Sequence, residues 1–383
     1  MRILELCNFS AGVCGVWARV REESIRLAKL GYEVKVFSSN SVKGSDEIAK
    51  PEESINDVKI KRYPFIKLGG ESFMHWFGKS AQREALEYKP DVIIAHNYRQ
   101  LHTTKALKIA KRLKKQGLKC KVFLVTHAPF VEGDITRSFL AKKAVWFYDK
   151  FIGKKTLKKF DKIVVISQWE IPFLEKSGAD KNKTIYIPNG IPEEFFTQKI
   201  SKEENKILFL GRISPKKKIE TIIKAMALIK DKKTILEIVG PQEKGYFEML
   251  ESLVKSLNIS NRVKFSYPIF DIANKIKKID SARIFILPSR VEGMPQSLIE
   301  AMAREKIVIG SDSIAIRDLI KDGKNGYLFE FDNPQDLARK IDAALSSNSK
   351  SIKKEARKFV EKFSWNKIIL KIENLIIETN KRL

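Results

Sequence analysis

The stretch "ARIFILPSRVEGMPQSLIEAMA", Ala282–Ala303, decides the fold. Ala282–Leu287 is mostly apolar and partly β-branched, which reads as a buried strand. Pro295 stands in the first turn of a helix, where its missing N–H removes no hydrogen bond. The stretch is therefore a strand, a tight turn holding Glu292, and a helix carrying Glu300. The same alternation of short apolar runs and amphipathic helices recurs along the chain. Strands are expected at Arg2–Leu6, Glu33–Ser38, Val92–His96, Lys121–Thr126, Lys162–Ile166 and Ile185–Ile187. The helix Val16–Leu30 fills the first interval and ends at Gly31, a common helix stop. After a polar break around Thr197–Lys206 the pattern restarts with Ile207–Gly211, Thr234–Gly240, Arg262–Ser266, Ala282–Leu287 and Lys306–Gly310. Repeated βα units on both sides of one linker predict an α/β chain of two Rossmann-like, doubly wound domains.

Composition agrees with two domains. The 383 residues are 43% hydrophobic, enough to bury a sizeable core. The formal net charge of +27 fits a lysine-rich solvated surface, and equally an anionic substrate, an anionic membrane surface or nucleic acid. Cys7, Cys14 and Cys120 are few and show no metal-ligand spacing, as in a reduced cytosolic protein. The opening "MRILELCNFS" lacks a long apolar core and a small-residue cleavage site, so no signal peptide is expected. No segment has the roughly 20 apolar residues of a membrane span.

In doubly wound sheets, ligands sit beyond the carboxyl ends of the strands, often in a cleft between domains. The turn that carries Glu292 lies at such an end. A helix N-terminus offers free N–H groups and partial positive charge, which suits a diphosphate near Gly293–Ser297. Eight residues at helical rise span about 12 Å, the reach from a hexose across a diphosphate to a ribose. The competing reading is a helix with an acidic N-terminal turn stabilised by its dipole. A second stretch, "ILFLGRISPKKKIETIIKAM", is a strand followed by Gly211, Arg212 and the basic loop Lys216–Lys218. Glycine beside arginine at a strand end allows close approach of an anion and supplies a fork of donors. Acids for hydroxyls and bases for phosphate, in one domain, point to a nucleotide-sugar site.

These residues resemble a known family, the retaining GT-B glycosyltransferases of group 1, or glycosyltransferase family four. The resemblance covers essentially the whole chain and is densest between Lys206 and Phe329. "GRISPKKKIE" resembles the family's Gly-Arg…Lys loop, and "PSRVEGMPQSLIEAMA" its pair of glutamates separated by seven residues. "DGKNGYLF" follows in order, as do "KPDVIIAHN", "LVTHAPF", "DKIVVISQWE" and "IPNGI" in the first half. "FSWNKI" resembles the start of a last helix that crosses back onto the first domain. The resemblance implies a GT-B fold with two domains facing a central cleft: residues 1–198 on the acceptor side, 199–363 binding the donor, and 364–383 as the returning helix. It implies that Arg212 and Lys217 bind the donor diphosphate, that Glu292 contacts the donor sugar, and that Glu300 holds the ribose. Gly211, Gly293, Met294 and Ser297 would surround sugar and phosphate. Arg262 and Val263 would begin the loop that meets the base, Gly15 would approach the phosphates, and His127 would face the reacting sugar. His96 reads as structural. The resemblance further implies retention by front-face attack. The departing phosphate oxygen then takes the acceptor's proton, so Glu292 is not a nucleophile.

The chain departs from the family pattern at Cys14, Trp17, Tyr267, Glu305–Ile307 and Ile314–Ala315, loops that shape the donor pocket. No Asp-x-Asp triplet occurs, so a reaction without metal or other cofactor is expected. The expected partners are a nucleotide-sugar donor and a saccharide or lipid-linked acceptor. "SFLAKKAVWFYDKFIGKKTLKKF", Ser138–Phe160, interleaves aromatics with lysines, as in a helix lying on an anionic membrane; a surface helix packing its aromatics inward is the alternative. The expected setting is cytoplasmic, with peripheral association at the inner membrane face as the further step. Two other classes fit less of the sequence. A non-enzymatic anionic-polymer binder leaves Arg212 and both glutamates unused, and no RNA-binding signature marks a nucleic-acid partner. A nucleotide-sugar epimerase of similar fold would convert the sugar without transferring it.

Overall fold

The computed structural model describes residues 1–67, 74–129, 139–197, 202–346 and 349–381. Two compact units divide at Gly190/Ile191, and the chain from Trp365 returns to the first unit. The expected boundary at 198/199 lies outside the described residues. The physical reason for the earlier division is Arg304, fully buried in the second unit. Its guanidinium makes a paired contact with Asp280 at 2.8 and 2.7 Å and donates to the carbonyls of Phe195 and Thr197. A buried charge held this way fixes the segment after Ile191 to the second unit.

Among the described residues the first unit contains ten strands: β1 (Arg2–Phe9), β2 (Glu33–Ser39), β3 (Glu52–Ile55), β4 (Val58–Tyr63), β5 (Ile66–Lys67), β6 (Met74–His75), β7 (Val92–His96), β8 (Lys121–Val125), β9 (Lys162–Val165) and β10 (Thr184–Tyr186). Eight form one sheet in the order β10-β9-β8-β7-β1-β2-β4-β3, parallel except for the edge hairpin β3–β4. That hairpin turns at Asn56 and Asp57, both at positive φ, the geometry of a tight hairpin turn. It was not expected from "VKIKRY", whose lysines and arginine break the apolar signal at a solvated sheet edge. The centre of the sheet, β1, β7 and β8, is buried nearly throughout.

The second unit carries β11 (Lys206–Leu210), β12 (Ile235–Val239), β13 (Val263–Ser266), β14 (Ile284–Leu287), β15 (Ile307–Ser311) and β16 (Tyr327–Phe329). They form one parallel sheet ordered β13-β12-β11-β14-β15-β16. Sheet order reverses around β11, the topological switch where such folds bind ligands. At that point Gly240 has φ 153°, and a Cβ there would meet the Gly211 carbonyl oxygen at 1.9 Å; the ends of β11 and β12 approach too closely for a side chain.

The helix Trp365–Lys381 packs on the first unit. The Arg26 guanidinium lies 5.8 Å above the Trp365 ring, and Tyr32 donates to Glu373 at 3.3 Å. Trp365 is 2% exposed, and a Cβ at Gly190 would fall 2.4 Å from its ring. Gly190→Ala is therefore expected to destabilise the protein by about 1–3 kcal/mol through overpacking, lowering the thermal midpoint. Gly15→Ala, where no atom lies within 4 Å of the added carbon, should show no such loss.

Candidate active site

In the second unit the loops after β11 and β14 are joined by the Arg290 N–H, which donates to the Lys216 carbonyl at 3.3 Å. That contact brings Lys217 and Glu292 together across 75 residues: the ammonium lies 2.5 Å from Glu292 Oε1. Both side chains are mostly buried, 22% and 12% exposed. Arg212, at the end of β11, is exposed and forms no ion pair among the described residues. Glu300 is 5% exposed, with the Lys275 ammonium 2.6 Å away. Lys275 comes from the Ile272–Ser281 helix and had no signal in sequence. The ammonium faces both oxygens of this buried carboxylate, 2.6 Å from each.

The helix that carries Glu300 begins only at Gln296, with Pro295 in the cap position. Glu292 lies before it, in the loop with Gly293 and buried Met294, so the 12 Å helical span expected for the pair does not apply. Gln296 and Ser297 supply the unshared N–H groups of the first turn, because Leu298 and Ile299 already donate to the Pro295 carbonyl.

Arg262 and Val263 require a correction. They stand at the amino end of β13, away from the edge where the strands finish. The Arg262 guanidinium, 7% exposed, donates to the carbonyls of Met226 (2.9 Å), Asp231 (3.2 Å) and Thr234 (3.3 Å). It is a structural clamp. The residue at the carboxyl end of that strand is Tyr267, 91% exposed.

In the first unit, Gly15 opens the Gly15–Lys29 helix, whose first turn has neither a side-chain cap nor an acidic residue. His127 follows β8. It and Ala128 have φ of 57° and 53°, a left-handed conformation costing about 1 kcal/mol or more per non-glycine residue. Glu170 holds them there. Its fully buried carboxylate accepts from Thr126 Oγ1 (2.6 Å) and the N–H groups of Ala128 (2.8 Å), Ile166 and Ser167 (both 3.0 Å). His127 Nε2 lies 2.9 Å from His96 Nδ1, and His96 Nε2 lies 2.6 Å from Glu5 Oε2. Glu5 and His96 are both fully buried.

Beside them the Gly15–Lys29 helix turns Arg19 and Glu23 inward, paired at 3.0 Å. Arg19 also reaches the carbonyls of Ile187 and Pro188 and the side chain of Asn189, fixing the "IPNGI" loop. Burial pushes Glu5 up to about 8, against the pull of Arg19. Burial likewise pushes Glu23 up to about 7 and holds His96 down near 3. A further signal was available for Glu5, a lone acid inside the apolar run "RILELCNF". Nothing in the sequence singles out Glu170 or Arg19 from the other charged residues of their helices.

Residues 13–195 match the family model described as Glycosyltransferase Family 4, and residues 190–362 match Glycosyl transferases group 1. An uncharacterized glycosyltransferase of Methanocaldococcus jannaschii is 29% identical over 362 residues, 88% of either chain. The Campylobacter jejuni GalNAc-alpha-(1->4)-GalNAc-alpha-(1->3)-diNAcBac-PP-undecaprenol alpha-1,4-N-acetyl-D-galactosaminyltransferase is 27% identical over 355 residues, 90% of this chain and 91% of that one. The Anabaena protein HepE, solved in complex with UDP and glucose, superposes with a TM-score of 0.73 at 18% identity, covering 99% and 100% of the two chains. The chain belongs to the group 1 glycosyltransferases, with the GT-B fold, and is an enzyme that transfers sugar.

The buried acid of the first unit has a consequence for stability. The folded protein keeps a proton on Glu5 up to about pH 8, whereas the ordinary value is 4.5. The folded state thus binds more protons than the unfolded chain between these values, so stability falls as pH rises through that window and levels above it. Below the ordinary histidine value of 6.5 the lowered His96 works in the opposite sense, so denaturant midpoints should show this decline from about pH 7 to about pH 9, and Glu5→Gln should reduce it.

Proposed function

We propose that this enzyme moves a hexose-type sugar, with retention and without a metal, from a nucleotide-diphosphate sugar to a saccharide or lipid-linked acceptor. The observation that carries the reading is the pairing of one lysine with each glutamate, Lys217–Glu292 and Lys275–Glu300, in the same unit as exposed Arg212. The Anabaena protein's complex with UDP and glucose favours such a donor. In this reading the diphosphate takes the Lys217 ammonium and the Arg212 guanidinium. Glu292, released from Lys217, then accepts from sugar hydroxyls, and Glu300, released from Lys275, accepts from the ribose.

As the bond from the anomeric carbon to phosphate breaks, negative charge grows on the diphosphate. Lys217, Arg212 and the first-turn N–H groups near Ser297 stabilise it, which is the source of rate. The departing phosphate oxygen takes the acceptor's proton. His127, through the ring nitrogen that His96 leaves available, meets the reacting sugar, and Gly15 brings an uncapped helix end toward phosphate.

A lipid-linked acceptor is favoured by an exposed patch on the first unit. Residues 139–157 run as an α-helix to Phe147, a π-helical stretch Tyr148–Gly153, and a short helix Lys154–Leu157; Ser138 lies outside the described residues. Trp146, Phe147, Phe151 and Ile152 are 58, 55, 46 and 42% exposed, so these aromatics do not pack inward. Exposed lysines surround them, with Lys150 4.6 Å above the Trp146 ring. Arg99 grips Asp149 at 2.9 and 2.6 Å and fixes the segment. Exposed rings ringed by cations fit an anionic bilayer surface at the cytoplasmic face. The C. jejuni relative, whose name carries a PP-undecaprenol-linked saccharide, is in keeping with such an acceptor. Among the described residues no helix is long and apolar enough to cross a membrane.

Two experiments test the reading. Glu300→Ala should weaken both nucleotide diphosphate and the intact donor by roughly 1.5–3 kcal/mol, the worth of a hydrogen bond to a charged group. Glu292→Ala should leave nucleotide diphosphate affinity nearly intact while transfer collapses. Calorimetric titration decides; unchanged affinity and turnover in both variants would defeat the donor site. Replacing Lys154, Lys155, Lys158 and Lys159 by Gln should weaken sedimentation with anionic vesicles, by less at high salt. Sedimentation unmoved by those substitutions would remove the membrane from the reading.

A further inference from the structure

We infer that Glu5 and His96 are positioning residues for transfer: along the line Glu5–His96–His127 they set whether His127 offers the sugar an N–H donor or a bare acceptor at Nδ1. The inference rests on the reading that His127 meets the reacting sugar. The geometry carries it. Glu5 Oε2 is 2.6 Å from His96 Nε2, and His96 Nδ1 is 2.9 Å from His127 Nε2. A neutral imidazole has one N–H and one bare nitrogen, so the two contacts determine each other.

With the Glu5 carboxyl protonated, its O–H donates to His96 Nε2. His96 Nδ1–H then donates to His127 Nε2, and His127 carries its proton on Nδ1. With Glu5 ionised, every donor reverses: His96 Nε2–H points to the carboxylate, His127 Nε2–H points to His96, and His127 Nδ1 is bare. Passing from the first state to the second releases one proton at His127 Nδ1. The proton on His96 Nδ1 moves to His127 Nε2, and that of Glu5 moves to His96 Nε2. Each ring stays neutral and the carboxylate is left behind.

The surroundings keep the line in its protonated state near neutrality. Glu5 is 0% exposed on the central strand β1, and its other oxygen, Oε1, has no hydrogen-bond partner. The charged and titratable groups around it are Arg19 and Glu23 from the Gly15–Lys29 helix, Cys7 on its own strand, and His96 from β7. Arg19 and Glu23 pair with one another. His102, from the Leu101–Lys115 helix, binds the His96 carbonyl through Nε2 at 2.8 Å and leaves the His96 ring free for the line. Burial raises Glu5 to about 8 and holds both histidines of the line down. A merely structural histidine needs one carbonyl, as His102 has; here an acid and two rings are aligned, and Glu170 locks the backbone of the last one.

With only four histidines in the chain, two-bond 1H–15N correlation spectra of labelled protein can read each ring directly. His127 should carry its proton on Nδ1 at about pH 6.5 and on Nε2 at about pH 9.5, with His96 reversing in step. Transfer should fall about tenfold per pH unit above about 8. Glu5→Gln should hold one ring pattern at both pH values and abolish that step; His96→Phe should uncouple His127 from pH. Circular dichroism checks that each variant folds, and the wild-type titration needs no variant. A His127 pattern that is identical at both pH values overturns the relay, as does an activity step that persists in Glu5→Gln. Transfer unaffected by His127→Ala overturns instead the placement of His127 at the sugar, whatever the ring pattern shows.

Discussion

The parallel pairing of β11 with β12 on one side and β14 on the other is the constraint from which the candidate site of the second unit follows. In a parallel sheet all strands finish on one edge, so the loops after β11 and β14 become neighbours although about 75 residues separate Lys217 from Glu292. One backbone hydrogen bond, Arg290 to Lys216, sets their register. Gly240 lets β12 end against Gly211 without a side chain intervening. The charged groups need no long-range attraction to find one another, because backbone geometry has already placed them. Their mutual attraction then fixes rotamers, and each lysine keeps its partly buried glutamate from being an unpaired charge.

The first unit reaches a comparable result by a different route. Its central strands are mostly apolar, Glu5 and His96 interrupt them, and burying polar groups there is costly unless they bond to one another. The chain answers with three sets of contacts. Arg19 and Glu23 pair and tie down the loop after β10; Glu5 bonds His96 through one oxygen, and His96 extends to His127; Glu170 takes four donors from the loops after β8 and β9. The left-handed residues Asn97, Arg99, His127 and Ala128 all lie just beyond β7 and β8. Backbone strain gathered at the carboxyl ends of adjacent strands belongs where a ligand is handled, since rigid surroundings must over-determine it.

How much of this could be read in the sequence depends on where the information resides. Strand positions in the parallel core were legible because a strand buried on both faces must be apolar throughout: Val92–His96 emerged with its expected bounds, and most others within one or two residues. The edge hairpin β3–β4 was not, since a solvated edge does not require that pattern. Arg212, Lys217, Glu292 and Glu300 were legible as motif residues. Their partners were not: nothing in "NKIKK" singles out Lys275, and the turn direction of a helix decides that Arg19 and Glu23 face inward. Arg262 shows the reverse case, where the family resemblance suggested a place beside the base and the side chain is buried against three carbonyls as a clamp.

The net charge of +27 acquires its meaning from this division of labour. The lysines that pair with carboxylates, Lys217 and Lys275, contribute little long-range field, because each is neutralised within 2.6 Å. The field comes from the unpaired surface excess, which acts over about 10 Å at ordinary ionic strength. That excess can raise the local concentration of an anionic donor or an anionic bilayer, and it cannot discriminate among anions. Discrimination requires groups whose positions are fixed before the ligand arrives. In the proposed reading those are the buried ones: Glu300 against Lys275, Glu292 behind Lys217, and His127 held by Glu170 and His96. Surface lysines could therefore be exchanged with a change in encounter rate and salt dependence, whereas the chemistry stays with a few residues that the two sheets hold in place.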